Sequence, residues 1–200
     1  IVMDKQNGKI LKQFPVNSAD DLVFHPDGES FYFTDILTGF VTRMDLEGNE
    51  INTQYVAPGV NPITFLEDDP ENLRLFVGLD FEGDGLYELD PELNDAPRPI
   101  VEYALGTYPI GFLDAFDFGP DGFLYGPVFT QGFVVRVNVG APGDPSSLYP
   151  YDDGTIVPIS FGFDYPVAAK FGPDGLLTVL DQNGEVWKVD TEAEPATKTL

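Results

Sequence analysis

Three side chains with oxygen donors, Asp20, Asn61 and Asp114, hold one register position in a repeating pattern. Asp20 and Asp114 each stand seven residues before the Asp of a Pro-Asp-Gly triplet, at Asp27 and Asp121. Asn61 takes the same place in a degenerate copy, and counting back from the third triplet, at Asp174, reaches Val167. Carboxylate and amide oxygens converging on one point suit a hard divalent cation, Ca²⁺ or Mg²⁺, with water or substrate completing its shell. Such a cation stabilises negative charge that develops on a substrate oxygen, and a nearby carboxylate can deprotonate an attacking water. A water-filled channel produces the same pattern without chemistry, because buried carbonyls there need polar partners.

The repeat is what would bring these residues together. Phe118–Leu124 and Phe171–Leu177 both read Phe-Gly-Pro-Asp-Gly, one apolar residue, then Leu, and Phe24–Phe31 reads Phe-His-Pro-Asp-Gly-Glu-Ser-Phe. Asp27 and Asp121 are 94 residues apart and Asp121 and Asp174 are 53 apart. The longer gap holds two periods of about 47, the size of one four-stranded propeller blade. The degenerate copy lies between them, as Asn61-Pro62-Ile63-Thr64-Phe65, the acidic turn Glu67-Asp68-Asp69-Pro70 and the strand-like Arg74–Gly78. Pro presets φ for the first central turn position, Gly accepts positive φ and Asp bonds neighbouring amides, so Pro-Asp-Gly is structural.

Second and third strands follow each turn, at Ser30–Asp35 with Phe40–Leu46, Leu73–Gly78 with Gly85–Asp90, Phe123–Gly126 with Phe133–Val139, and Leu176–Leu180 with Glu185–Asp190. They are β-branched and aromatic with period-two alternation, and no stretch shows helical periodicity. The fold is therefore all-β, a propeller of four-stranded blades, with residues 1–200 as one domain. Residues 1–16 resemble the third and fourth strands of a blade, and four blades follow over about 20–56, 61–103, 113–150 and 166–200. The Gly- and Pro-rich residues 140–160 read as a long loop. Four and a half blades imply part of a ring of about six, since an open ring leaves sheet faces and edges uncovered.

Thirty-four acidic residues against 10 basic ones give a net charge of −24, which opposes contact with nucleic acid and anionic membranes. No run is long enough to span a membrane, and Ile1 opens within strand-like sequence. With no cysteine, disulfides, thiolate metal sites and a Cys nucleophile are excluded. The acidic surface fits a saline, extracellular or periplasmic setting, with the cytoplasm still open.

Asp20-Asp21-Leu22-Val23-Phe24-His25-Pro26-Asp27-Gly28, continuing to Tyr32–Asp35 and Val41–Asp45, resembles the SMP-30/gluconolactonase family of six-bladed propellers, with NHL-type propellers a more distant likeness. The resemblance runs along nearly the whole chain as a repeat grammar. It implies a divalent-metal-dependent hydrolase acting on a lactone or related ester. Asp20, Asn61 and Asp114 would be the ligands of a cation, Ca²⁺ first, and Asp114 or Asp20 the base. The family's Gly after each ligand is Asp21, Pro62 and Ala115 here, and its Glu ligand has no counterpart. The alternative is a non-catalytic propeller that binds a protein or glycan through its rim.

Other signals are weaker. Asp80–Gly85 resembles the start of a calcium loop, but Pro91 stands where the bidentate Glu belongs, which favours an acidic hairpin. His25 is the only histidine and precedes Pro26 in a turn, so no His-based triad exists. Trp187 reads as core, and Tyr103, Tyr108, Phe112, Tyr149, Tyr151 and Tyr165 as packing beneath loops rather than lining a rim pocket.

Overall fold

A computed structural model describes residues 1–66, 73–79, 85–102, 115–141, 156–193 and 196–200. Four antiparallel four-stranded sheets follow one another along the chain, preceded by a two-stranded one. The pair is β1 (Val2–Met3) with β2 (Ile10–Lys12). Blade 1 is β3 (Ala19–Phe24), β4 (Ser30–Asp35), β5 (Phe40–Asp45) and β6 (Glu50–Tyr55). Blade 2 is β7 (Val60–Leu66), β8 (Arg74–Leu79), β9 (Gly85–Leu89) and β10 (Arg98–Glu102). Blade 3 is β11 (Asp117–Phe118), β12 (Leu124–Val128), β13 (Phe133–Val137) and β14 (Ile156–Phe161); blade 4 is β15 (Pro166–Phe171), β16 (Leu177–Asp181), β17 (Val186–Asp190) and β18 (Thr197–Thr199). The architecture is a β-propeller, as the repeat predicts. Among the described residues no helix is long and apolar enough to cross a membrane.

The Pro-Asp-Gly triplets turn the chain as their chemistry dictates. Gly28, Gly122 and Gly175 sit at φ 73°, 78° and 76°, where a side chain would be strained. Each donates its N–H back across the turn, to His25, Gly119 and Gly172 at 2.9–3.0 Å. The Asp oxygens accept the amides of Glu29, Phe123 and Leu176. The Glu29 amide, foremost, holds the Asp27 carboxyl below its ordinary value. These carboxylates are structural.

Three apolar clusters lie between successive blades. Tyr32, Val41, Ile63, Phe65, Leu75 and Val77 join blades 1 and 2; Phe76, Leu86, Leu124 and Val137 join 2 and 3; Tyr125, Val134, Leu177 and Val189 join 3 and 4. One aromatic pair recurs in all three. The Phe before each turn packs on the ring at the second strand's matching position in the preceding blade: Phe65 on Tyr32 at 5.5 Å, Phe118 on Phe76 at 5.1 Å and Phe171 on Tyr125 at 5.1 Å. Offset or edge-to-face pairs of this kind add about 0.5–1.5 kcal/mol to area burial.

One sequence expectation changes. The stretch read as a loop over 140–160 ends in β14, so the fourth strand of blade 3 lies beyond residue 150. Pro158 obscures it, yet an outermost strand tolerates a missing N–H on its solvent edge. One short 3₁₀ turn, Phe129–Gln131, interrupts the β pattern.

Candidate functional site

The innermost strands β3, β7, β11 and β15 lie side by side around the channel. At the register picked out by counting back from the turns, three of them bulge. Between the pairs Ala19↔Asp35 and Leu22↔Phe33, Asp20 and Asp21 oppose the single residue Thr34. Between Val60↔Leu79 and Ile63↔Val77, Asn61 and Pro62 oppose Gly78. Val167 is the extra residue between Pro166↔Asp181 and Ala168↔Leu180. A bulge frees one residue from the ladder and re-aims its side chain, a device common beside active sites. Pro62 fits because a bulge needs no N–H there.

Asp20 in β3 is exposed, and partial burial, with Asp21 beside it, raises its carboxyl above the ordinary value. Asn61, at the same place in β7, is 8% exposed, and its backbone carbonyl accepts the Thr34 hydroxyl at 2.8 Å. Asp114 lies outside the described residues, as do Asp80–Asp84 of the calcium-loop-like run and Tyr103, Tyr108, Phe112, Tyr149 and Tyr151. Thus the structure sets Asp20 and Asn61 at matching positions of neighbouring strands. One carboxylate and one amide suit a hard cation. Among the described residues, no group of three or more His, Cys, Asp or Glu side chains could hold a metal ion.

Counting missed the residues that tie the channel strands together. Asp21 accepts the Leu22 amide on Oδ1 at 2.8 Å and the Ile63 amide, from the next blade, on Oδ2 at 3.0 Å. The Asp21 amide donates to Thr34 Oγ1 at 3.1 Å, so the hydroxyl satisfies the bulge and bridges to Asn61. Asp117 does for blades 3 and 4 what Asp21 does for 1 and 2. Its Oδ1 accepts the Phe118 amide and its Oδ2 the Phe171 amide, both at 3.0 Å. Lys170 Nζ donates to the Phe116 carbonyl at 2.8 Å, and the Ala169 amide to the Ala115 carbonyl at 2.8 Å. An innermost strand has an edge without a ladder partner, and its amides must still be paired.

His25 packs with Tyr32 and Phe65, at 6.2 and 5.8 Å between ring centres, and its Nδ1 accepts the Asp27 amide, a structural role. Trp187 packs against the blade 3–4 core and donates Nε1–H to Asp181 at 3.0 Å. Tyr165 is half exposed and packs against Phe129 with ring centres 5.2 Å apart, so it lies at the surface rather than beneath a loop.

No protein-family model matches the chain, and no curated protein does. Solved structures do. A protein of unknown function from Bacteroides caccae aligns with 98% of this chain and 67% of its own, at 11% identity and TM-score 0.68. Virginiamycin B lyase from Staphylococcus aureus aligns with 90% of this chain and 55% of its own, at 14% identity and TM-score 0.66. The calcium-binding protein regucalcin from Agrobacterium tumefaciens aligns with 91% of this chain and 58% of its own, at 15% identity and TM-score 0.60. This chain spans 54–67% of the length of the solved structures it matches. At these identities the likeness is one of fold, and the fold is the β-propeller.

Proposed function

We propose that the channel mouth binds a divalent cation, Ca²⁺ first, through Asp20, Asn61 and Asp114, and that the protein hydrolyses a lactone or related ester there. The observation that carries this reading is the repeated bulge, which takes Asp20 and Asn61 out of the strand ladder at one register of adjacent blades. A bound cation would relieve the repulsion between Asp20 and Asp21 and would stabilise developing negative charge on a substrate oxygen. Asp114 or Asp20 would serve as base. The calcium-binding propeller among the structural relatives supports the choice of ion.

The second reading is a non-catalytic propeller that binds a protein or glycan at its rim. It is favoured by Asp21 and Asp117, whose oxygens accept backbone amides of the next blade. On this reading channel carboxylates serve the fold.

Calcium titration by calorimetry on chelator-treated protein separates the two. The hydrolase reading predicts one-site binding abolished by Asp20→Ala and by Asp114→Ala, followed by calcium-dependent turnover in a lactone screen. Absence of binding, or binding indifferent to both substitutions, leaves the scaffold.

A further inference from the structure

Blade 4 breaks the pattern of the channel mouth in two ways, with Val167 where its neighbours carry oxygen donors and with a strained aromatic residue two positions earlier. Tyr165 lies at φ 53°. The equivalent residue of blade 2 is Gly59, at φ 88°. Each immediately precedes the last ladder pair before its bulge, Val60↔Leu79 for Gly59 and Pro166↔Asp181 for Tyr165. Ser18 holds the place in blade 1, ahead of Ala19↔Asp35. One hydrogen bond confirms the match, since the amide after the second-strand partner returns to this residue's carbonyl: Ile36 to Ser18 at 3.3 Å and Gln182 to Tyr165 at 3.0 Å. Positive φ is glycine's region and an outlier for a bulky side chain, and a residue before proline is steered towards extended backbone.

The loop is clamped so that Tyr165 keeps this conformation. On its two sides the Phe163 amide donates to the Gly132 carbonyl at 3.0 Å and the Gln182 amide to the Tyr165 carbonyl. Between them the Asp164 amide donates to Asp181 Oδ2 at 3.0 Å. Asp181 is 2% exposed, and its Oδ1 has no partner. One loop thus carries a strained aromatic residue and a buried carboxylate oxygen left unpaired. Strain persists where its surroundings over-determine it, and such costs gather at functional sites. Blade 2 meets the same backbone requirement with glycine, so the fold needs no ring here. What the clamp achieves is to hold a half-exposed phenol ring at the mouth end, against Phe129 at 5.2 Å in the 3₁₀ turn between β12 and β13. The neighbouring Asp164 carboxylate accepts the Asn183 side-chain amide at 3.4 Å.

We propose that Tyr165 is a substrate contact of the channel mouth, whose ring, with Val167 beside it, receives an apolar ring carried by the lactone or ester. This rests on the reading of the mouth given above. Blades 1 and 2 hold the polar end of the substrate through Asp20, Asn61 and the cation, and blade 4 selects for the substituent. The substrate class is therefore a lactone or ester bearing an aromatic or similarly apolar ring.

The test compares two lactams, γ-butyrolactam and γ-phenyl-γ-butyrolactam, which share a lactone's shape but resist hydrolysis, so binding is read without turnover. In calorimetry on the calcium-loaded protein, the phenyl lactam should bind at least about tenfold more tightly than its parent. Tyr165→Asn removes the ring and keeps a residue that accepts left-handed backbone, and it should abolish the preference. Tyr165→Phe should retain it. Circular dichroism and thermal melting verify that both variants fold. Failure of either lactam to bind, equal binding of the two, or a preference that survives Tyr165→Asn overturns the proposal. Asp20→Ala separates it from the reading on which it rests. If that substitution weakens both lactams equally and no preference exists, the polar site stands and the ring contact falls. If it changes neither affinity while the Tyr165-dependent preference persists, the metal-hydrolase reading falls and the ring contact stands.

Discussion

The contact between blades 1 and 2 and the contact between blades 3 and 4 meet one requirement with different residues. In both, an aspartate on an innermost strand accepts its neighbour's amide on one oxygen and an amide of the next blade on the other. Asp21 does so from within a bulge and relies on Thr34 to bridge to the Asn61 carbonyl. Asp117 does so one residue before the Phe of the turn cassette, where Lys170 and the Ala169 amide take the remaining carbonyls. Register alone therefore does not say which carboxylate holds the channel and which is left for a ligand. The blade 2–3 contact differs again: Arg74, bidentate to Glu88, donates to the Gly140 carbonyl at 2.8 Å.

The largest effect should come from breaking that third contact. Glu88→Ala removes the carboxylate that pairs with Arg74, whose side chain is 7% exposed, and that Arg98 also bonds. An unpaired buried charge costs about 3–5 kcal/mol, read as a lowered midpoint in urea unfolding at unchanged slope. This pair also sets an acid limit. Burial works to raise the Glu88 carboxyl, and the hydrogen bonds and charges of Arg74 and Arg98 outweigh it, so its folded value lies below the ordinary 4.5. A depressed carboxyl stabilises the fold above the ordinary value, and that stability is lost as pH falls through the folded value. Glu88→Gln should therefore flatten the stability profile below about pH 4.5.

Next come the two aspartate ties. Asp21→Ala strands the Ile63 amide, on a residue 2% exposed, at a cost of about 1–3 kcal/mol. Asp117→Ala strands the amide of half-buried Phe171 and should cost less, because water can reach it more readily. Equal losses in chemical denaturation would mean that the two contacts are interchangeable. Tyr32→Phe should lose about 1 kcal/mol by deleting the hydroxyl that donates to the Pro91 carbonyl at 2.6 Å across blades 1 and 2.

The smallest effect, and the one that bears on function, is Asp20→Asn. Burial foremost, then Asp21, raise the Asp20 carboxyl above 3.8. A raised carboxyl takes up its proton more readily when folded, so stability falls as pH rises from the ordinary value through the folded one. Asp20→Asn should remove that fall and leave the protein slightly more stable at neutral pH. Thermal melts at pH 3.5 and 7 check this, and destabilisation at pH 7 would give Asp20 a structural tie like that of Asp21.

Much of the architecture was legible in the residues. Pro-Asp-Gly marks a turn through local backbone chemistry, and alternation over Val41–Asp45 or Val186–Val189 marks strands through a period of two. The bulges, which no residue pattern announced, fall at the register counted from the turns, at Asp20, Asn61 and Val167. The roles of Asp21 and Asp117 were not legible, because each partner amide belongs to another blade, 42 and 54 residues away. Asp181 was not singled out either, although its partners lie only 17 and 6 residues away. At 2% exposure it accepts the Asp164 amide and Trp187 Nε1 on one oxygen and has no partner on the other.

By itself the sequence determined that this is an all-β repeat of four-stranded blades with a strongly acidic surface, since turns, strand alternation and net charge are properties of neighbouring residues and of composition. Tertiary structure decided which aspartates bind amides of the next blade, and which aromatic faces are filled. A carboxylate becomes a tie or stays available for a ligand according to what the next blade places 3 Å from it, and blade stacking sets that distance.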